Sequence, residues 1–230
     1  MTPIIATINL CKSYQLGAVS VAVLQEINLT IQSGEFVSIM GPSGSGKSTL
    51  LYLLGGLDKP TAGQIFVKGK ELSAMTDQEE SLLRRREVGF VFQFYNLVPN
   101  LNVEDNIMLP ILLDGKRLAT ERSKLDQILE EVGLTDRRHH TPRELSGGQQ
   151  QRVAIARALV NQPDIILADE PIGNLDSKTG KEIMELLKRI NRDRGKTILQ
   201  VTHSQEAAAY GDRTILVRDG KVWDEHGQSI

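Results

Sequence analysis

Short apolar runs separated by amphipathic stretches set the rhythm of this chain. Ile4 to Leu10, Val23 to Ile31 and Phe36 to Met40 are rich in aliphatic and β-branched residues, with an "SGE" turn leading into the last. Gln64 to Lys68, closed by Gly69, reads as another strand and turn. Shorter apolar strands follow at Val88 to Phe92, Asp164 to Ala168, Thr197 to Val201 and Thr214 to Val217. Between them the period turns helical. Leu125, Ile128, Leu129 and Val132 fall at i, i+3, i+4 and i+7, as do Ile183, Leu186, Leu187 and Ile190, and Gly133 ends the first of these helices. Apolar strands alternating with helices predict a parallel sheet covered on both faces. From about Phe94 to Asn161 the sequence is mostly helical, which predicts a helical lobe inserted into an α/β core.

Composition narrows the class without naming it. The 230 residues are 40% hydrophobic and 24% charged, with a net charge of −2. No repeat or Pro/Gly/Ser tract divides them, so one large domain with an inserted lobe is expected. The slightly acidic balance gives no reason to expect a nucleic-acid partner. Arg84 to Arg86 read as a solvated helix face. Cys11, the only cysteine, excludes an intramolecular disulfide and reads as a small buried or half-buried side chain. No run reaches the roughly 18 to 20 apolar residues that span a bilayer, and the N-terminus lacks the features of a signal peptide. A cytosolic chain is expected, which serves a membrane, if at all, from outside the lipid.

Candidate chemistry begins at Gly41-Pro42-Ser43-Gly44-Ser45-Gly46-Lys47-Ser48-Thr49. This matches G-x-x-x-x-G-K-[ST] between a predicted strand, "FVSIM", and a predicted helix, "STLLYLL". Glycines let successive N–H groups point inward around phosphate oxygens, and the helix N-terminus adds partial positive charge. Lys47 then reaches the β- and γ-phosphates and the Ser48 hydroxyl ligates Mg²⁺. "IILADE" delivers Asp169 and Glu170 at the C-terminal end of a buried strand, the edge where open parallel sheets bind ligands. Asp169 suits the hydration shell of Mg²⁺, and Glu170 suits a general base that polarises a water for in-line attack. "ILQVTHS" ends another strand in His203, which is either a packed histidine or a contact to the γ-phosphate and the attacking water. A second glycine-rich stretch, "ELSGGQQQR" from Glu144 to Arg152, opens a helix and repeats the features of an anion cradle.

Taken together these motifs resemble an ABC-type ATPase, the nucleotide-binding subunit of an ATP-binding cassette transporter, over essentially the whole chain. Leu145-Ser146-Gly147-Gly148-Gln149 matches the family's signature, "GFVFQ" places Gln93 at its Q-loop, and Asn174-Leu175-Asp176 with Ser177 matches its D-loop. Tyr14 falls where members of the family stack an aromatic ring on adenine. "FVSIMGPSGSGKSTLLYLLGGLDKPTAG", "GFVFQFYNLVPNLNVEDNIMLP" and "LADEPIGNLDS" are most similar to the lipoprotein-releasing and macrolide-exporter branch, as is the long link "QLGAVSVAVLQEI" after Tyr14. Ile172 departs from that branch, where threonine is usual, and puts the coupling beside the D-loop in question.

The resemblance implies a P-loop NTPase fold with a mainly parallel sheet, an N-terminal antiparallel β subdomain and an inserted α-helical subdomain. The boundaries expected are about 1–93 and 162–230 for the core and 94–161 for the helical part. It implies ATP and Mg²⁺, the latter held by Ser48, Gln93 and Asp169, partly through water. It also implies head-to-tail dimers in which each ATP lies between one phosphate loop and the partner's signature. This chain carries both halves, so a homodimer with two equivalent sites is expected. Integral membrane permease subunits complete the picture, with the ATPase peripheral on the cytoplasmic face and export or extrusion favoured. The apolar stretch Phe94, Tyr95, Leu97 and Val98 is either a docking groove for that permease or packing within the lobe. Two rival classes are a small-molecule kinase, which has no use for a signature, and an ABC-type ATPase acting on nucleic acid or ribosomes.

Overall fold

The computed structural model describes residues 2–224. The chain opens as a hairpin: β1 (Ile5–Leu16) turns at Gly17 into β2 (Val19–Ile27), with Leu16 paired to Val19. The segment expected as a link after Tyr14 is therefore strand on both sides of a tight turn. The strand expected from Val23 to Ile31 is two, since β3 (Thr30–Ile31) is separate. The break has a local cause. Glu26 adopts a left-handed backbone at φ 50°, and the Asn28 side chain accepts from Asn9 N at 2.8 Å and donates to Glu26 O at 3.1 Å.

There follow β4 (Phe36–Met40), α1 (Lys47–Leu54), β5 (Ala62–Val67), β6 (Lys70–Glu71), α2 (Asp77–Arg86) and β7 (Val88–Val91). Three helices come next, α3 (Val103–Leu113), α4 (Arg122–Val132) and α5 (Gly147–Leu159), joined by 3₁₀ turns and loops. The chain then returns to β8 (Ile165–Asp169), α6 (Ser177–Arg194), β9 (Thr197–Val201), α7 (Gln205–Ala208), β10 (Arg213–Arg218) and β11 (Lys221–Trp223). One sheet is antiparallel, in the order β2-β1-β5-β6 with β3 also on β1. The other runs β11-β10-β4-β9-β8-β7 and is parallel except for β11.

Side-chain alternation explains why the central strands are apolar throughout. In β8, Ile165 and Leu167 face an apolar cluster shared with α1 and the antiparallel sheet. Ile166 and Ala168 face a second cluster, built from α3 to α6. A strand buried on both sides has no solvent position to fill with a polar residue. The exceptions on β4 and β9 make side-chain hydrogen bonds in place. Ser38 Oγ donates to Ala208 O at 2.9 Å, and Gln200 Nε2 donates to Ser38 Oγ at 3.0 Å and Ala207 O at 2.7 Å. These bonds pin α7, and with it the turn carrying His203, against the sheet.

The reading of a solvated face holds for the exposed Arg86 and is corrected for Arg84 and Arg85, which are half-buried. Arg84 donates to Gly56 O at 2.9 Å, Arg85 to Leu113 O at 2.6 Å, and Arg86 to Asp114 Oδ1 at 2.9 Å. The run staples α2 to the ends of α1 and α3. Cys11 is half-buried, as expected, and its Sγ accepts from Glu26 N at 3.3 Å. Among the described residues no helix is long and apolar enough to cross a membrane.

A polar clamp joins β1 to the loop after α1. Asp58 accepts from Lys12 Nζ and Tyr14 Oη, both at 2.7 Å, and from Lys59 N at 2.7 Å. Burial alone raises the pKa of Asp58, but these donors outweigh it and hold the carboxyl below its usual 3.8. With the folded pKa depressed, the clamp's contribution is fully present above pH 3.8 and is lost as pH falls through the folded value. We expect the stability difference between wild type and Asp58→Asn, from urea unfolding, to be constant near neutrality and to close in acid. A difference that stays flat down to pH 3, read from the same curves, removes the carboxylate from the clamp.

Candidate active site

The loop between β4 and α1 has a shape that only glycine allows at its ends. Gly41 sits at φ 147°, and a Cβ there would lie 2.0 Å from Val217 O. Gly46 sits at φ 99° against Val23 and Leu24, and α1 begins at the next residue. Pro42, Ser43 and Gly44 are exposed along the rim, while Ser45 Oγ is buried without a protein partner. Lys47 turns back over the loop and donates to Gly41 O at 3.0 Å and Pro42 O at 2.7 Å. Burial pushes its pKa below the usual 10.5, opposed by the charges of Glu170 and Asp169. The loop is thus a backbone cradle spanned by a cation, with one buried unpaired hydroxyl in its wall.

Parallel pairing delivers the acids to this cradle. Asp169 ends β8 and is 7% exposed. Its Oδ1 accepts from Ser48 Oγ at 2.9 Å and its Oδ2 from Tyr52 Oη at 2.7 Å. Glu170 follows at φ 47°, a left-handed turn that breaks the strand and redirects its side chain. Its Oε1 lies 2.5 Å from His203 Nε2, beyond the end of β9. Gln93, just past β7, joins them: a Cβ on Gly173 would stand 3.1 Å from Gln93 Nε2 and 3.3 Å from Glu170 Oε2. Asn174 Nδ2 donates to Gln93 O at 3.0 Å, which ties the stretch Asn174-Leu175-Asp176 to the end of β7. Lys47, Ser48, Asp169, Glu170, His203 and Gln93 therefore meet at one edge of the parallel sheet.

Tyr14 stands beside this group on β1. It is 39% exposed, its hydroxyl is held by Asp58, and Lys12 Nζ lies 4.7 Å from its ring centroid. Burial, then the bond to Asp58, raises its pKa, while a hydrogen bond with Thr49 of α1 lowers it. The ring is thus a fixed aromatic platform next to the helix that follows the loop.

The signature stretch lies among the helices. Ser146 is the exposed N-cap of α5: its Oγ accepts from Gln149 N at 3.3 Å, and Gln149 Oε1 accepts from Ser146 N at 2.9 Å. Leu145 is buried in the helical core. Both glycines permit close approach: a Cβ on Gly148 would lie 2.3 Å from Thr179 Cγ2, and one on Gly147 3.0 Å from Tyr95 Oη. Leu175 also faces Gly147, and Asp176 caps α6 by accepting from Thr179 N at 3.0 Å. Ile172, the departure from the branch pattern, packs over Gly180 and the helical core. A branched apolar side chain fits that contact.

Two residues escaped the sequence reading. Tyr52 lies one helical turn beyond Ser48, on the same face of α1, and that spacing was the available signal. Gln151, read with Gln150 as a polar start to the helix, is fully buried and donates to Pro171 O at 2.7 Å. It falls three and four residues before the buried Ala154 and Ile155, hence on the buried face of α5. Gln150 donates to Leu145 O at 3.1 Å. Of the apolar stretch after Gln93, Phe94 is 72% and Val98 40% exposed, while Leu97 packs on the helical core and Tyr95 abuts the start of α5. Phe94 and Val98 are thus the exposed members of this stretch, and Tyr95 and Leu97 the half-buried ones.

Comparison with known proteins bears on this geometry. The model of the ABC transporter family matches residues 24–173. An ABC transporter ATP-binding protein of Thermotoga maritima is 48% identical over 222 residues, covering 96% of this chain and 94% of that protein. The macrolide export ATP-binding/permease protein MacB of Bdellovibrio bacteriovorus is 47% identical over 220 residues, which make up 95% of this chain but 33% of MacB. Among solved structures, a dimeric post-hydrolysis state of the ATP-binding cassette MJ0796, bound to ADP and Pi, has a TM-score of 0.87 and 44% identity. That match covers 96% of this chain and 98% of the other, a protein of Methanocaldococcus jannaschii. Phosphate loop, acid pair, histidine and signature on this fold leave one conclusion: the chain belongs to the ABC transporter family, as one of its ATP-binding ATPase cassettes.

Proposed function

We propose that this cassette hydrolyses ATP as a homodimer and drives export or extrusion through a membrane permease, working from the cytoplasmic face. The observation that carries the reading is Glu170 Oε1 at 2.5 Å from His203 Nε2, beside the Ser48–Asp169 hydrogen bond and the phosphate loop. Gly41 to Thr49 bind the phosphates, with Lys47 exchanging its two carbonyl partners for β- and γ-oxygens. Tyr14 receives the adenine face. Glu170 takes the proton of the attacking water as the γ-phosphorus–oxygen bond to ADP breaks, while His203 and Gln93 hold Glu170 and the water in line.

The donors present fit Mg²⁺. Ser48 and Asp169 offer a hydroxyl and a carboxylate already 2.9 Å apart, and Gln93 adds a carboxamide; hard oxygens of this kind suit Mg²⁺ over softer metals. When bound, the ion neutralises charge on the β- and γ-phosphate oxygens.

Residues 94–161 form the lobe that presents the signature. Ser146, Gly147, Gly148 and Gln149, with Leu145 anchoring them, supply an exposed helix N-terminus whose partial positive charge suits the γ-phosphate of ATP held by a second copy. Asn174, Leu175 and Asp176 link that contact to Glu170 through Gln93 and Gly173. Closure is then favoured while the γ-phosphate is present and lost after hydrolysis. MJ0796 is dimeric in two solved structures, one of them a post-hydrolysis state still holding ADP and Pi, which supports a dimer here. MacB is an export ATP-binding/permease protein by name, which supports a permease partner. The docking surface is Phe94 and Val98 beside a groove of about 290 Å³, floored by the stacked Phe90 and Phe92.

Glu170→Gln should lower ATP hydrolysis by about 10²- to 10⁴-fold while ATP accumulates a dimer in size-exclusion chromatography. Undiminished hydrolysis, or a monomer at every ATP concentration, overturns the scheme. Phe94→Glu should leave hydrolysis by the isolated cassette within about twofold and abolish its co-purification with integral membrane permease subunits. Leu97→Glu should instead cost about 1–3 kcal/mol of folding stability in urea, since it sets a charge against the helical core.

A further inference from the structure

Asp169 is held by two hydroxyls from one helix, and only one of them belongs to the phosphate-loop motif. Ser48 Oγ donates to Oδ1 at 2.9 Å, and Tyr52 Oη donates to Oδ2 at 2.7 Å. The two donors stand at i and i+4 on α1 and so share a face. Asp169 is 7% exposed, so the water that would otherwise satisfy its second oxygen is largely excluded. The terminal torsion of an aspartate is broad and roughly two-fold, which leaves a carboxylate held at one oxygen free to swing. Held at both oxygens it cannot. Tyr52 is itself half-buried, and it reaches Asp169 from one turn beyond Ser48 on α1.

We propose that Tyr52 is a positioning residue that orients Asp169 toward a divalent cation and thereby sets the affinity of the site for the metal–nucleotide complex. This rests on the ATPase reading above. The two hydroxyls have different duties. Ser48 has a second claim on it, as a metal ligand, and cannot serve both partners equally. Tyr52 has no such claim: it lies a turn deeper along α1, on the oxygen that Ser48 does not use. It keeps the carboxylate aimed while Ser48 is engaged elsewhere. Partners of this kind behind a metal-binding carboxylate commonly set affinity by about 10- to 100-fold.

The test separates the hydroxyl from the ring. Tyr52→Phe keeps the packing and removes Oη alone. With Glu170→Gln as parent, so that ATP persists, Mn²⁺ serves as the probe and its free concentration is read by electron paramagnetic resonance. Tyr52→Phe should weaken Mn²⁺ binding to the ATP complex by about tenfold or more. ATP affinity in EDTA should stay within twofold, and the thermal midpoint should barely move. Placed on Asp169→Asn, the same substitution should add nothing, because its target is gone.

Equal Mn²⁺ affinity in parent and Tyr52→Phe overturns the proposal, as does a full additional loss on Asp169→Asn. A matching fall in metal-free ATP affinity and thermal midpoint also overturns it, by reducing Tyr52 to a packing residue. A parent that binds no Mn²⁺ with ATP overturns the ATPase reading itself, and that result is distinct from the others. In steady-state hydrolysis the half-saturating Mg²⁺ should rise while the KM for ATP at saturating Mg²⁺ holds.

Discussion

Parallel pairing of β4, β9, β8 and β7 is the constraint on which the rest of the molecule depends. Because these neighbouring strands run the same way, their carboxyl ends lie along one edge, and each discharges a different group there. The phosphate loop leaves β4, Asp169 and Glu170 leave β8, His203 follows β9, and Gln93 follows β7. The hydrogen bond from Ser48 to Asp169 joins residues 121 apart in the chain. No local segment could assemble that site. The sheet does so by being buried on both faces, which is why its strands carry so few polar residues and why those few are bonded in place.

The glycine-rich stretches solve different problems. At Gly41 and Gly46 the issue is backbone conformation together with close approach, so the loop can wrap its amides inward. At Gly147 and Gly148 the issue is space, since a Cβ would crowd Tyr95 and Leu175 at the first and clash with Thr179 at the second. The signature helix is thereby fastened to the segment that follows Glu170. Gln151 adds a buried bond from the same helix to Pro171 O. Whatever moves α5 moves the loop after the acid pair as well.

Polar side chains do much of the long-range fastening outside the apolar clusters. Arg157 donates to Tyr95 O at 2.7 Å and Asn96 O at 2.6 Å, holding two consecutive left-handed residues in the stretch after Gln93. Asn106, fully buried, accepts from Val98 N at 2.8 Å and donates to Val98 O, Leu101 O and Asn102 O. Between them these two side chains shape the segment that leaves Phe94 exposed. The exposure of that phenylalanine follows from the shape of the loop more than from its own character.

What the sequence determined by itself were the features with a local physical cause. Short apolar runs placed the parallel strands, the 3.6-residue period placed the long helices, glycine spacing placed the phosphate loop, and Ser146 with the two glycines after it marked a helix start. What only the tertiary structure decided were partners. The arginine run looked solvated because charge predicts water, yet all three residues found carbonyls or a carboxylate on other elements. Leu97 and Phe94 are alike in sequence, yet Leu97 packs partly buried on the helical core while Phe94 is exposed. Tyr52 carries no motif, and its meaning appears only when β8 brings Asp169 beside α1. Periodicity and backbone strain act over a few residues and can be read along the chain, whereas a side-chain contact depends on which elements the fold makes neighbours.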